Sequence, residues 1–292
     1  QLAEATYVRG SWGQGYRFPS MAELFISTEV AKGIWVYPNA SLNPENGWSA
    51  ELGVKQGVKV GSWMGYLDIA GFLMQYDDMM EFTFAKWGAS RGDTNFYGYG
   101  FKSINVGKTQ ISGIELSISG KGKINNDMAM SILAGYTYMQ PVTLSPNDIY
   151  AELEEPMYNV FGQDSITYLT YANSSSDPSV LKYRYKHIAK IDAELTYKKL
   201  SLGGSLRYND FMRNIDAIFA DEFFANLVPG IIEARKNGEN GDLIIDARFG
   251  YQFNDMIRFG FVVNNLLNQE YMNRPANMMP PRTFAMQLAL KI

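Results

Sequence analysis

Residues 242–253 read DLIIDARFGYQF, and apolar side chains alternate with polar ones along the stretch. The apolar positions are Leu243, Ile245, Ala247, Phe249, Tyr251 and Phe253, and the polar positions include Asp242, Asp246, Arg248 and Gln252. Successive side chains of a β-strand point to opposite faces, so the stretch predicts a strand with one apolar and one charged face. The same alternation marks residues 48–60, 189–198 and 282–292.

Weaker alternation extends this pattern over most of the chain. It covers about residues 2–12, 63–77, 102–121, 127–139, 200–210 and 257–264, which gives about ten predicted strands in all. The long connections between strands are residues 13–47, 78–101, 140–185, 211–241 and 265–281. Compact soluble domains rarely carry so many long loops, whereas outer-membrane barrels have tight turns at one end and long loops at the other. We therefore predict an all-β fold, an antiparallel transmembrane β-barrel.

Aromatic residues cluster near the ends of the predicted strands. Those next to long loops are Trp12, Trp48, Tyr76, Tyr136, Tyr138 and Tyr208, and those next to short turns are Trp63, Tyr197, Tyr251 and Phe253. Two levels of aromatic residues are typical of the two interfacial girdles of a membrane barrel. The competing interpretation is the general enrichment of aromatic residues in strands.

The composition argues against several other classes of protein. The chain has a net charge of −4 and no cysteine, which argues against a nucleic-acid-binding surface, disulfides and thiolate metal sites. No apolar run reaches the length of about 18 residues that a transmembrane helix needs. His187 is the single histidine, so we interpret it as a residue of the barrel rim. Because nucleotide-binding and hydrolase motifs do not occur either, we predict no enzymatic activity, no cofactor and no metal site.

Four segments, in order along the chain, resemble the TonB-dependent receptor family. Residues 9–25 contain an aromatic-Arg-x-Pro-Ser-x-x-Glu-Leu segment, and residues 42–53 contain a Leu-x-Pro-Glu segment followed by Glu-x-Gly. Residues 105–115 are similar to the Asn-x-Gly…Gly-x-Glu strand of the family, and residues 264–284 to its final loop and strand. The positions that we single out in the first three motifs are Tyr16, Arg17, Pro19, Asn43, Pro44, Gly113 and Glu115.

This resemblance implies a bacterial outer-membrane transporter that takes up a siderophore, haem, cobalamin or a similar scarce ligand. The family has a 22-stranded barrel around an N-terminal plug domain, and the TonB protein acts on that plug. Residues 1–292 match the later, C-terminal portion of the barrel. We therefore expect a second polypeptide, or an upstream segment of the same precursor, to supply the plug and roughly twelve strands. The strands at about 2–12 and 282–292 should then pair outside this chain and not with each other.

The residues that contact a ligand are expected in the long connections, chiefly 13–47, 140–185 and 211–241, because loops on a rigid scaffold usually carry recognition. The aromatic candidates are Trp35, Tyr37, Tyr150 and Tyr158. Residues 20–42 contain no histidine, so a haem iron would find Tyr37 as its candidate ligand there. The alternative is that the aromatic residues pack loop against loop, and that Arg17 and Pro19 fix the path of the chain out of the strand.

Two other functions stay open at the level of sequence. The first is a passive porin or structural barrel, which would differ by an open lumen without a plug. The second is a soluble β-rich binding protein or carbohydrate-active enzyme, in which a second sheet would cover the apolar faces. A membrane barrel makes a sharp prediction, because lipid does not solvate charge: arginine at Leu288 should cost about 2–4 kcal/mol near the midplane, and arginine at Gln287 almost nothing.

Overall fold

The computed structural model describes residues 4–31, 33–88, 98–149, 151–152, 165–166, 180–220, 229–275 and 277–291. Over these residues the chain is mostly β-structure. The strands are β1 (Thr6–Arg17), β2 (Thr28–Ala31), β3 (Ile34–Tyr37), β4 (Glu45–Val60), β5 (Ser62–Asp77), β6 (Met80–Lys86), β7 (Tyr99–Asn105), β8 (Thr109–Lys123), β9 (Met128–Thr143), β10 (Ala151–Glu152), β11 (Ser165–Ile166), β12 (His187–Tyr197), β13 (Leu200–Asn209), β14 (Asp242–Gln252), β15 (Ile257–Asn264), β16 (Met272–Arg274), β17 (Asn277–Met278) and β18 (Thr283–Leu290). The helices are α1 (Met21–Phe25), α2 (Ile231–Asn237) and one 3-10 turn (Ala217–Ala220).

Ten strands form a single antiparallel sheet, which we call the main sheet. Its order is β1-β4-β5-β8-β9-β12-β13-β14-β15-β18, so each strand pairs with the next strand of the sheet along the chain. The register runs without a shift along the longest hairpin, in which β4 and β5 pair from Asn46 against Asp77 to Val60 against Trp63. The sequence prediction of an all-β, antiparallel fold with about ten strands is confirmed.

One face of the main sheet carries the charged residues. Arg9 of β1 donates to Glu51 of β4 at 2.8 Å and to Asp68 of β5 at 2.6 Å. Farther along the sheet, Arg248 of β14 donates to Asp192 of β12 at 2.6 Å. Direct cross-strand partners share a face, and the registers place the charged residues that were predicted from the sequence on this same face. That set is Lys190, Asp192, Glu194, Asp246 and Arg248.

The opposite face of the main sheet is apolar and uncovered. Leu52 in the middle of β4 is 66% exposed, and Met286 in the middle of β18 is 76% exposed. A soluble sandwich would bury such a face against a second sheet, but none of the described strands covers it. Among the described residues, no helix is long and apolar enough to cross a bilayer.

The two ends of the main sheet differ in their connections. At the short-turn end, Gly61 at φ +60° joins β4 to β5, and Lys198 at φ +52° lies in the turn between β12 and β13. Gly61 tolerates this left-handed conformation because it lacks a Cβ atom. At the other end, which we call the long-loop end, the connections are long and contain structure of their own. β1 and β18 are the two outer strands of the sheet, and the described residues do not pair them with each other.

The structure corrects the predicted strand at 102–121. It divides into β7 and β8, which belong to different sheets, and the break falls at Val106–Lys108, where Gly107 adopts φ +78°. β2, β3 and β6 lie within the predicted loops 13–47 and 78–101 and join β7 in a four-stranded sheet of order β2-β3-β7-β6. We call this the loop sheet. Its strands are four to seven residues long, too short for period-two alternation to separate them from loop sequence.

Candidate functional site

The long-loop end contains a cleft with a volume of about 540 Å³, which we call the long-loop cleft. It lies between the loop sheet and three other connections of the chain. Its lining residues are Glu23, Val30, Met80, Glu81, Phe82, Phe101, Ser103, Lys182, Tyr183, Arg184, Phe219, Arg274 and Pro275. The volume falls in the range of ligand sites for small molecules, which is about 300–1,000 Å³.

Aromatic rings form a row along this cleft. Phe82 and Phe101 stack with ring centroids 5.0 Å apart and planes 7° apart. Phe101 stacks in turn on Phe219 at 6.1 Å, which brings the 3-10 turn against the loop sheet. Phe84 and Tyr99 extend the aromatic packing into the buried core of the loop sheet. The row therefore joins two connections that are far apart in sequence.

A buried polar cluster fixes the loops that border the cleft. The ammonium of Lys182, which is fully buried, lies 2.8 Å from Asp216 Oδ1, 3.0 Å from Thr83 Oγ1 and 3.8 Å from Glu81 Oε2. The hydroxyl of Tyr183 donates to the other carboxylate oxygen of Asp216. Burial of the phenol, together with the negative charge of Asp216, raises the pKa of Tyr183 well above its ordinary value. The cluster thus ties three long connections together with charge-assisted hydrogen bonds.

The first family motif forms a compact junction where β1 ends. Arg17 lies 2.9 Å from Glu23 Oε1 and 3.7 Å from Glu45 Oε2. Ser20 caps α1 in a reciprocal capping box with Glu23, and half-buried Pro19 directly precedes that cap. Burial opposes ionisation of Glu23, but the hydrogen bonds from Arg17 and Ser20 outweigh it and lower its pKa. Tyr16, by contrast, is exposed.

The second and third motifs meet each other. The backbone N–H of Asn43 donates to the side chain of Asn105 at 2.9 Å, and the Asn105 amide donates back to the Asn43 carbonyl at 3.1 Å. The same amide donates to the carbonyl of Asp78 at 2.7 Å, so one side chain holds two long connections at the base of the loop sheet. Pro44, which follows Asn43, is exposed at the entry to β4.

Gly113 and Glu115 lie on the charged face of β8. A Cβ atom at Gly113 would overlap the carbonyl oxygen of Tyr138 and lie 2.6 Å from the ring of Phe72. The position therefore requires glycine for close packing, although its φ is ordinary for any residue. Glu115 pairs directly with Ala70 and with Thr137 and is exposed.

Two of the four predicted ligand-contacting residues lie in the described part of the chain, and both lie outside the cleft. Trp35 and Tyr37 lie on β3 of the loop sheet, where the Tyr37 ring occupies the space beside Gly88 and Gly100. Neither residue lines the long-loop cleft. Tyr150 and Tyr158 lie outside the described residues. Ligand contact by these four residues stays a prediction.

His187 lies at the first position of β12, near the long-loop end. It packs between Tyr136 and Tyr138, with the Tyr136 hydroxyl 2.8 Å from its Nδ1 atom. The register places the three side chains on the apolar face, where an aromatic girdle of a membrane barrel belongs. Within the described ranges, no three carboxylate, histidine or cysteine groups come close enough to hold a metal ion.

The cleft residues were not found from sequence. Phe82 and Phe101 lie in or beside a stretch taken as loop, and Arg184, Phe219 and Arg274 come from three other connections. The one local signal is the sequence EFTFAK at 81–86, in which aromatic residues alternate with polar ones as in a strand. The assembly of the cleft depends on tertiary packing between loops, which no local pattern contains.

The uncovered apolar face, the charged opposite face and the division into a short-turn end and a long-loop end define a β-barrel protein of the bacterial outer membrane. A family model described as TonB dependent receptor-like, beta-barrel matches residues 1–266, and the chain belongs to this family. A search of curated proteins gave no match.

Solved structures support the same fold. The ferric-catecholate import receptor Fiu from E. coli K12 is 19% identical with a TM-score of 0.58, and the match covers 99% of this chain and 33% of Fiu. The hemophore receptor HasR from Serratia marcescens is 15% identical with a TM-score of 0.59, covering 99% and 38%. The siderophore receptor PiuA from Acinetobacter baumannii is 16% identical with a TM-score of 0.58, covering 99% and 34%. The chain therefore spans about a third of the length of these receptors.

Proposed function

We propose that this chain is the C-terminal part of the barrel of an active transporter, which uses energy coupled through TonB to import a scarce small ligand. The observation that carries the proposal is the structured long-loop end. Two long connections form the loop sheet, and a buried ionic cluster fixes the cleft beside it. A pore for passive diffusion needs no built recognition surface of this kind, whereas a receptor does.

The ligand belongs to the class of siderophores, haem and cobalamin in this proposal. The similar structures support that class by their printed names, which include a ferric-catecholate import receptor and a receptor in complex with its hemophore and heme. The ligand would bind at the long-loop end, which faces the outside of the cell in outer-membrane barrels.

The remaining strands and the plug come from a second polypeptide or from an upstream segment of the same precursor. The two outer strands, β1 and β18, support this part of the proposal, because they are not paired with each other in the described residues. A strand edge with unpaired N–H and C=O groups cannot face hydrocarbon, because each unpaired group costs several kcal/mol there. Further strands must therefore close the barrel between β1 and β18, and TonB would act on the plug inside it.

Uptake by living cells tests the proposed transport. Cells that express the receptor from its own gene should accumulate radiolabelled haem, cobalamin or an iron–siderophore complex. Accumulation should stop when TonB is deleted or the proton-motive force is collapsed, while binding at 4 °C persists. Accumulation that continues unchanged without TonB would contradict the proposal and favour a passive porin.

The size and number of polypeptides in the purified receptor test whether the remaining strands come from outside this chain. The receptor purified from outer membranes should be a polypeptide well above 32.9 kDa, or this chain together with a second co-purifying polypeptide. A homogeneous 32.9 kDa species that inserts into vesicles alone and pairs β1 with β18 would overturn this part of the proposal.

A further inference from the structure

The charges of the long-loop cleft divide into paired and unpaired groups. Lys182 is held by Asp216 and Glu81, and Glu23 is held by Arg17. Arg184 and Arg274 form no ion pair with any residue in the described part of the chain, and the one hydrogen bond of Arg184 is a long one of 3.4 Å to the Tyr183 carbonyl. The charge of the cleft that remains available to a ligand is therefore positive and carried by guanidinium groups.

The aromatic row supplies a second, flat surface in the same cleft. Phe82 stacks on Phe101, yet 45% of Phe82 remains exposed. An aromatic ring with this much free surface accepts another ring in offset stacking. The buried cluster below it holds the loops in place, so the surface is formed before the ligand arrives.

We propose that the long-loop cleft binds a ligand that carries an aromatic ring bearing anionic oxygen atoms. Phe82 stacks on the ring, and the guanidinium groups of Arg184 and Arg274 pair with the oxygen atoms. Guanidinium groups suit this chemistry because their planar fork binds paired oxygen acceptors and because they stay charged at any physiological pH. This inference rests on the proposed function, since it names the chemical class of the ligand that the transporter carries.

Binding to outer membranes tests the inference directly. The probe is the iron(III) complex of 2,3-dihydroxybenzoate, which is aromatic and anionic, and the comparison is iron(III) acetohydroxamate, which has neither property. Membranes that contain the whole receptor should bind the aromatic complex, and excess acetohydroxamate complex should not displace it. Equal competition by the two complexes would overturn the inference.

Variants connect the binding to the named residues. Phe82→Leu should weaken binding of the aromatic complex about 2- to 10-fold, because leucine keeps the apolar volume but loses the flat ring. Arg184→Gln and Arg274→Gln should each weaken it about 10-fold or more. Phe82→Tyr should retain binding, which separates loss of stacking from misfolding. Lys108→Gln removes an exposed cation that is paired with Asp77 outside the cleft, and it should leave binding unchanged.

The outcomes separate this inference from the proposed function. If the cells import cobalamin with TonB but the membranes do not bind the aromatic complex, the inference is wrong and the transporter stands. If the membranes bind the aromatic complex with equal affinity in all three cleft variants, the inference is also wrong. If no ligand is imported with TonB and none binds, both proposals fail.

Discussion

Arginine placed on either side of β18 tests which face of the main sheet meets lipid. Met286 and Gln287 are neighbours in the middle of this strand, and their side chains point to opposite faces. Met286 is 76% exposed on the apolar face, opposite Phe261, whereas Gln287 lies opposite Gly260 on the charged face. Arginine at position 286 and arginine at position 287 would therefore lie at nearly the same depth in the bilayer but on opposite faces of the sheet.

The expected loss of folding free energy depends on how deep in the bilayer the arginine lies. Arginine on the lipid face of an outer-membrane barrel costs about 2–4 kcal/mol at the midplane and about 0–1 kcal/mol near the interfaces. The loss of stability caused by Met286→Arg should be about 2–4 kcal/mol, because this residue lies in the middle of its strand. Leu288 lies two residues nearer the short-turn end, about 5 Å in depth for a strand tilted near 45°, so Leu288→Arg should cost less than Met286→Arg. Gln287→Arg should cost almost nothing.

The assay is denaturant unfolding of the whole receptor in lipid vesicles. Tryptophan fluorescence and the shifted gel mobility of the folded barrel report the unfolded fraction for each variant and for the unchanged receptor. The free energy of unfolding should rank the variants in the order Gln287→Arg, Leu288→Arg and Met286→Arg, with Met286→Arg least stable. A larger loss for Gln287→Arg than for Met286→Arg would show that the assignment of faces is wrong.

Three further predictions concern packing, burial and pH. Gly113→Val should destabilise the barrel by about 1–3 kcal/mol in the same assay because its side chain overlaps neighbouring atoms, while Gly71→Ala, with space around its Cβ, should not. Lys182→Met leaves buried carboxylates without their cation, so protease should cut the long loops of intact cells much faster; Lys198→Met, at an exposed ion pair, should behave like the parent. Because Glu23 has a lowered pKa, its stabilisation of α1 is present above about pH 4.5 and lost as the pH falls through the folded-state pKa. Hydrogen exchange in this helix should speed up on acidification, and Glu23→Gln should abolish that dependence.

The main sheet could be predicted from the sequence because its strands are long. β4 has 16 residues and β12 and β14 have 11 each, so the clear alternation in these stretches repeats often enough to fix both the strand and its faces. The charged faces also predicted which side chains lie together, since a register shift of one residue would move every charge to the apolar side. Strand boundaries were less accurate where β1 and β4 run on into the long-loop end.

The loop sheet and the cleft could not be predicted in the same way. Trp35 and Tyr37 looked like exposed loop tips, but they occupy a short strand whose partner, β7, is about 65 residues away in sequence. The parallel pairing of β3 with β7 leaves no turn signal, because no tight turn connects the two strands. Arg184 and Arg274 line the cleft from two other connections, so their convergence has no signature in either local sequence.

The parallel pairing of β3 with β7 also has a consequence for the design of hybrid receptors. Three consecutive pairs, beginning with Trp35 against Gly100, join the connection after β1 to the one after β5. A loop transplanted from another receptor would arrive without its complementary strand, and the recipient strand would lose its own partner. The two connections should therefore be exchanged together, as one cassette that includes Asn43 and Asn105, whose mutual hydrogen bonds mark where it joins the scaffold. For the same reason, insertions in either connection are not independent during evolution, because a change of length in one shifts the strand to which the other must pair.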